Sequence, residues 1–170
     1  MAMKRALVAV SLLATTASMQ AIGATNTTTF TVSATVAAYC TVSVPSGISG
    51  LSSSNRSASA SMTVECTNGT SWVVGLNGLS NVSDGVFRMK DGASTPNYIR
   101  YSIAATSSDS NVTAKPSAVG NTSNRIGGSG GGAAQSITLT ANATLGTSGE
   151  DIRFAAPGSY SDTVTATIEF

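Results

Sequence analysis

The sequence predicts an all-β fold, an antiparallel β-sandwich, on three observations. Apolar and polar residues alternate along almost every apolar stretch after the N-terminus, and no segment keeps the three-to-four-residue spacing of an amphipathic helix. Clusters of Gly, Pro, Asp and Ser separate these stretches. Short Thr- and Val-rich strands joined by frequent turns are typical of a sandwich of the immunoglobulin kind. A chain of 170 residues has room for one such domain.

Composition argues against catalysis and against nucleic-acid binding. The chain has no histidine, and only 10% of its residues are charged, against about a quarter in an average domain. It therefore lacks the commonest general base and the commonest metal ligand. A net charge of +1 offers no basic patch for the neutralisation of phosphates. We predict a protein that is not an enzyme, needs no cofactor or metal, and binds no nucleic acid.

Residues 1–24 are predicted to be a secretory signal peptide. Lys4 and Arg5 form a positive n-region, residues 6–14 a short apolar region, and residues 21–24 a cleavage site of small residues. The apolar run is shorter than the roughly 20 residues that span a bilayer, so no transmembrane segment is expected in the mature chain. A buried N-terminal helix is the alternative interpretation.

Cys40 and Cys66 are predicted to form a disulfide. They are the two cysteines of the chain, and export would place them in an oxidising compartment. The alternative is a metal or redox site. Two thiols without histidine cannot complete a tetrahedral zinc site, however, and the sequence has no Cys-x-x-Cys motif.

Four segments after Cys40 are predicted to be core strands before the C-terminal one. Residues 62–66, 99–103 and 137–145 alternate strictly, whereas residues 72–79 begin apolar on both faces, as in a central strand. The glycine-rich run 127–132 is predicted to be a flexible connection. It is not interpreted as a phosphate loop, because no Gly-Lys-Ser or Gly-Lys-Thr opens a helix there.

Residues 28–44 alternate for longer than one strand of a small sandwich can. Fifteen extended residues reach about 50 Å, whereas strands average five or six residues. Two consecutive strands with a bend near residues 37–39 would explain the pattern. The explanation we favour is that the chain from Cys40 onward belongs to this domain, while residues 28–36 fill the core of another copy.

The C-terminal segment, residues 160–170, is predicted to be the last strand and to leave an open slot. Its apolar residues share one face with Asp162, and no strand follows it. A sheet that ends there exposes an edge, which a strand supplied by another molecule would close.

The ending Pro157-Gly158-Ser159-Tyr160-Ser161-Asp162-Thr163-Val164, with alternation up to a terminal aromatic residue, resembles that of spore coat U domain proteins, subunits of archaic chaperone-usher pili. The cysteine pair, Arg88-Met89 and Tyr98-Ile99-Arg100-Tyr101 also occur in the order that this family shows. The resemblance covers essentially the whole mature chain, and the Ser/Thr/Gly-rich residues 106–134 depart from it.

The resemblance implies an incomplete immunoglobulin-like sandwich, residues 39–170, preceded by a donor-strand segment, residues 25–38. The implied donor side chains are Phe30, Val32, Ala34 and Val36. The groove that accepts them would lie between the strand from Cys40 to Val44 and a strand carrying Tyr160, Val164, Ala166, Ile168 and Phe170.

The implied function is that of a structural subunit of a surface pilus or fimbria, supporting adhesion and biofilm formation. The partners would be identical or related subunits, a periplasmic chaperone and an outer-membrane usher. The protein would pass through the periplasm to the surface of a Gram-negative bacterium.

Two other classes of protein remain as alternatives. A secreted hydrolase would need paired carboxylates, but the acidic residues are scattered, and Asp162 is expected to be a hydrogen-bonded structural carboxylate. A secreted carbohydrate- or surface-binding adhesin module of β-sandwich fold would use Trp72 and the tyrosines, which we expect in the core.

Overall fold

A computed structural model of the chain describes residue 23 and residues 25–44, 46–78, 86–116, 125–143 and 149–170. The predicted signal peptide, apart from Gly23, lies outside these ranges, as do the last two residues of the strand predicted at 137–145 and the last residue of the strand predicted at 72–79. The chain divides into two units, Met1–Thr35 and Val36–Phe170.

The described residues of the second unit form nine β-strands, which confirms the all-β prediction. In chain order these are β1 (Cys40–Ser43), β2 (Ser57–Cys66), β3 (Ser71–Gly78), β4 (Phe87–Lys90), β5 (Tyr98–Thr106), β6 (Val112–Ala114), β7 (Ile126–Ser129), β8 (Gln135–Asn142) and β9 (Val164–Glu169). None of the described residues belongs to a helix with the length and apolarity needed to cross a membrane.

The strands form two antiparallel sheets. One sheet has five strands in the order β1-β2-β8-β5-β4, and the other has four in the order β6-β7-β3-β9. This is the predicted immunoglobulin-like sandwich. β1 is therefore an edge strand of the larger sheet, and β9 is an edge strand of the smaller one.

The core lies where the alternation predicts it. In β8, Ile137 and Leu139 are buried while their polar neighbours face outward, and Met62 of β2 pairs with Ile137. β3 lies between β7 and β9, as predicted for a central strand. Trp72 is buried at 1% exposure, and its indole N–H donates a 3.0 Å hydrogen bond to the buried Gln135.

The prediction of a flexible connection at residues 127–132 is wrong for residues 127–129, whereas residues 130–132 do lie in the connection between β7 and β8. Gly127 and Gly128 belong to β7, which pairs with β3 and β6. A Cβ atom on Gly128 would overlap the Asn111 carbonyl oxygen and the Trp72 ring, and one on Gly130 would overlap the Thr67 carbonyl oxygen. At Gly128 and Gly130 the backbone packs directly on its neighbours and leaves no room for a side chain, whereas Gly132 has a positive φ of 71°.

Strand pairing begins at Cys40 in the N-terminal segment, and the C-terminal strand is shorter than predicted. Residues 25–39 are in no strand, and extended pairing begins at Cys40, which forms the predicted disulfide with Cys66. At the other end, the ladder with β3 begins at Val164 rather than Tyr160. Ser161 instead makes an isolated bridge to Lys90 at the end of β4.

Candidate functional site

A groove with a volume of about 1080 Å³ opens between the edge strands β1 and β9. Val42 and Ser43 line it from β1, and Val164 and Ala166 line it from β9. Its floor consists of core side chains of both sheets, namely Leu76, Ile99, Tyr101, Ile103, Leu139 and Ala141. The groove therefore lies on the side of the sandwich where β1 and β9 form the edges of the two sheets.

The β1 wall is anchored through β2. Cys40 is bonded to Cys66, its partner in the β1–β2 ladder, and Val42 pairs with Val64. After β1, residues 47–53 extend the same wall, and their two large apolar residues, Ile48 and Leu51, pack against the core. Residues 47–53 therefore lengthen the wall that the four residues of β1 begin.

The opposite wall begins at a tyrosine corner before β9. The Tyr160 hydroxyl donates a 2.9 Å hydrogen bond to the Ala156 carbonyl oxygen, four residues upstream. Such a bond at the start of a late strand fixes the preceding turn in immunoglobulin-like sandwiches. Residues 155–162, which include this turn, line the groove.

Asp162 lies where the chain crosses from one sheet to the other. Just before it, the backbone N–H groups of Ser161 and Lys90 each donate to the other residue's carbonyl oxygen, at 2.9 and 3.0 Å. Asp162 itself accepts from the Tyr101 hydroxyl at 2.7 Å and from the Thr163 backbone N–H at 2.9 Å. The expectation of a hydrogen-bonded structural carboxylate is confirmed. Burial, together with this bond, raises the pKa of Tyr101 above its usual range.

The groove carries little charge. Arg153 and Asp162 are the charged residues among its lining, and each has a partner. Arg153 donates through Nε at 2.9 Å to Asp151, whose side chain is 1% exposed. That hydrogen bond from Arg153 lowers the pKa of Asp151 to about 2. A segment entering the groove would therefore meet apolar surface, hydroxyls and unpaired strand edges rather than free charges.

The predicted groove residues do not all lie in the groove. Tyr160, Val164 and Ala166 line it, whereas Ile168 packs half-buried against the core farther along β9, and Phe170 is exposed. The predicted donor side chains, Phe30, Val32, Ala34 and Val36, are all exposed.

Sequence reasoning missed the contribution of residues 47–53 and the contact between Tyr101 and Asp162. Ile48 and Leu51 stand out as isolated apolar residues in a Ser/Gly-rich stretch, which is a weak signal. The Tyr101–Asp162 contact joins residues 61 positions apart and has no local sequence signal. The described residues contain no group of three or more His, Cys, Asp or Glu that could hold a metal ion.

The decisive comparison is with protein families. Residues 26–167 match the model of the Spore Coat Protein U domain. The chain belongs to this family. The match spans nearly all of the predicted mature chain, so the family prediction made from the C-terminal motif is confirmed, and this Spore Coat Protein U domain contains the whole groove.

Among solved structures, this Spore Coat Protein U domain is similar to the CsuC-CsuE chaperone-tip adhesion subunit pre-assembly complex from the archaic chaperone-usher Csu pili of Acinetobacter baumannii. The identity is 21% and the TM-score 0.54, over 80% of this chain and 41% of that one. A second similarity, to a chaperone-tip adhesin complex of CFA/I fimbriae biogenesis, has 12% identity and a TM-score of 0.48, over 76% and 40%. The chain spans about two fifths of the length of these structures. No curated protein matches the chain.

Proposed function

We propose that this protein is a structural subunit of a surface pilus, in which the N-terminal strand of one subunit fills the groove of the next. The observation that carries the proposal is the open, apolar groove between β1 and β9, in a chain whose own residues 30–36 alternate apolar and polar. Membership of the Spore Coat Protein U domain family supports it.

The chemistry of the donor segment suits the groove. Residues 25–38 contain no charge and no proline, so every backbone N–H in them can pair with a strand edge. From Phe30 to Val36 the extended chain covers about 20 Å at roughly 3.3 Å per residue. That length is comparable with the six residues of β9, the strand beside which the segment would lie.

Burial of the donor side chains would supply most of the free energy of association. Phe30, Val32 and Val36 are 86%, 82% and 78% exposed. Four such side chains, Ala34 included, would contribute roughly 6 kcal/mol before entropy at about 1.5 kcal/mol each. Hydrogen bonds along the free edges of β1 and β9 would add to this.

The same groove explains why a chaperone and an usher are proposed as partners. Two facing edge strands with apolar surface between them are a hazard for aggregation in a lone subunit. A periplasmic chaperone would cover the groove until an outer-membrane usher brings in the next subunit. The solved complex to which the chain is similar is itself a chaperone bound to a pilus subunit. Export to the surface of a Gram-negative cell, and support of adhesion and biofilm formation, follow as parts of the proposal.

We infer a structural rather than a catalytic role. The charged side chains at the groove are engaged with each other or with the fold, as in the Tyr101–Asp162 and Arg153–Asp151 pairs. No atom is transferred when a strand enters. The work consists of burying apolar surface and completing a β-ladder.

Matched aspartate substitutions on the two faces of the donor segment test the proposal. Val32→Asp would place an unpaired charge in the groove at a cost of several kcal/mol, so we expect the purified mature protein not to polymerise. Thr35→Asp puts the same charge on the opposite face of the same segment and should leave polymerisation intact. Sedimentation of both proteins gives the result, and fibres of normal length from Val32→Asp would overturn the proposal.

A further inference from the structure

An ion pair crosses the outer face of the four-stranded sheet, away from the groove. Arg125, the residue before β7, donates through Nη1 at 2.6 Å and Nη2 at 2.8 Å to the two carboxylate oxygens of Glu169, the last residue of β9. This bidentate geometry holds both groups in a defined orientation. The pair therefore links two strands that are not neighbours in the sheet.

The Arg125 side chain crosses the intervening strand β3 over Gly75. β3 pairs with β7 at Val74 and Ile126, which sets Gly75 beside Arg125. The guanidinium nitrogens lie 3.5 Å from the position that a Cβ atom on Gly75 would take. The guanidinium thus packs on β3 at a position that has no side chain.

The ion pair lies at the end of the β3–β9 ladder. Among the described strands, β9 is hydrogen-bonded only to β3, and their ladder ends at Glu169. The last pairs of an edge-strand ladder have fewer neighbouring contacts than its middle, so they open most readily. Loss of the last pairs would displace the groove wall, because the same strand lines the groove through Val164 and Ala166.

We propose that Arg125 and Glu169 are positioning residues for strand uptake, whose ion pair keeps the C-terminal end of β9 on β3 while the groove is empty. The inference rests on the proposed function. The inference goes beyond that function because it assigns a role to residues outside the groove. Both side chains are partly exposed, at 43% and 59%, so salt should weaken the effect.

The test uses the full mature chain with Val32→Asp throughout, which under the proposed function leaves the groove empty. This parent is compared with the same protein carrying Glu169→Gln, Arg125→Gln or the charge-swapped pair R125E/E169R. Glu65→Gln is the matched control, since Glu65 is an exposed strand glutamate in the other sheet. Two readouts are needed: amide hydrogen exchange over residues 164–169, and the rate at which a fluorescent peptide of residues 28–36 binds.

The loss of an exposed ion pair changes an equilibrium constant by a factor of about two to five. At low salt, we expect exchange to rise and peptide uptake to slow by that factor in both single variants. The control should match the parent, the swapped variant should recover, and 1 M salt should abolish the differences.

Each alternative outcome decides a different point. If exchange in β9 is the same in Glu169→Gln and Glu65→Gln, the ion pair does not hold the strand, and the inference is overturned. If exchange rises but uptake is unchanged, the pair is structural only, and the positioning role is wrong. If the Val32→Asp parent takes up no peptide at all, the proposed function fails, and the exchange measurement still decides whether the pair secures β9.

Discussion

The Tyr101 hydroxyl donates a 2.7 Å hydrogen bond to Asp162 Oδ2 and so connects β5 of the five-stranded sheet with the segment that leads into β9. Both residues line the groove, and Tyr101 is 5% exposed. The bond therefore holds the groove wall to the groove floor where the chain changes sheets. This bond gives a physical role to Asp162 of the C-terminal motif. The hydrogen bond of the tyrosine corner gives one to Tyr160 of the same motif.

Tyr101→Phe removes the donor and leaves a part-buried carboxylate with one partner fewer. A hydrogen bond to a charged group contributes about 1.5–3 kcal/mol, so the free energy of unfolding should fall by about that amount. Urea denaturation measures it. Tyr39→Phe, in an exposed tyrosine, is the control and should be neutral. Equal stability of the two variants would show that the Tyr101–Asp162 bond contributes nothing.

Gly128→Ala is expected to be strongly destabilising although alanine is small. The new methyl group would overlap the Asn111 carbonyl oxygen and the Trp72 ring, and overpacking in a rigid core costs about 1–3 kcal/mol or more. Gly92→Ala is the matched control, because no atom lies within 4 Å of its added Cβ. Thermal unfolding of both variants distinguishes a packed strand from a flexible loop. A Gly128→Ala protein with unchanged stability would restore the loop interpretation.

Asp151 should contribute to stability at neutral pH and lose that contribution in acid. Its pKa falls to about 2 in the folded protein, from an ordinary value of 3.8, chiefly because Arg153 donates to the carboxylate. A lowered folded-state pKa stabilises the fold above the unfolded value, and the effect is lost as pH falls from about 4 to about 2. Urea midpoints across that window should fall less steeply in Asp151→Asn. Parallel pH profiles for variant and wild type would contradict the assignment.

Moving the donor segment to the other end of the chain should convert a polymerising subunit into a monomer. A variant that starts at Ala38 and carries residues 28–36 after Phe170, through a flexible linker, can fill its own groove at high effective concentration. Sedimentation and thermal unfolding should show a soluble, cooperatively folding monomer. The same variant with Asp at the Val32 position serves as control and should be less stable. A transferred segment that leaves the protein unfolded or still polymerising would mean that residues 28–36 are an ordinary first strand.

Most of the fold could be predicted because alternation is a local property of the chain. The buried residues of β2, β5 and β8 follow directly from the period of two, since each strand has one face in the core. β7 could not be predicted in this way. Its glycines lack side chains that could show a pattern, and their role depends on Trp72 and Asn111, which are distant in sequence.

The sequence by itself determined the strand faces, the Cys40–Cys66 pair and the family, because periodicity, cysteine number and a contiguous C-terminal motif can all be recognised without knowing which segments meet. Only the tertiary structure decided which strands became edges. β1 and β9 face each other across the groove because of the sheet order, and that order results from pairing between distant segments. The contacts that secure the groove, Tyr101 with Asp162 and Arg125 with Glu169, likewise join residues 61 and 44 positions apart. Their geometry depends on the packing of whole sheets, for which no local pattern exists.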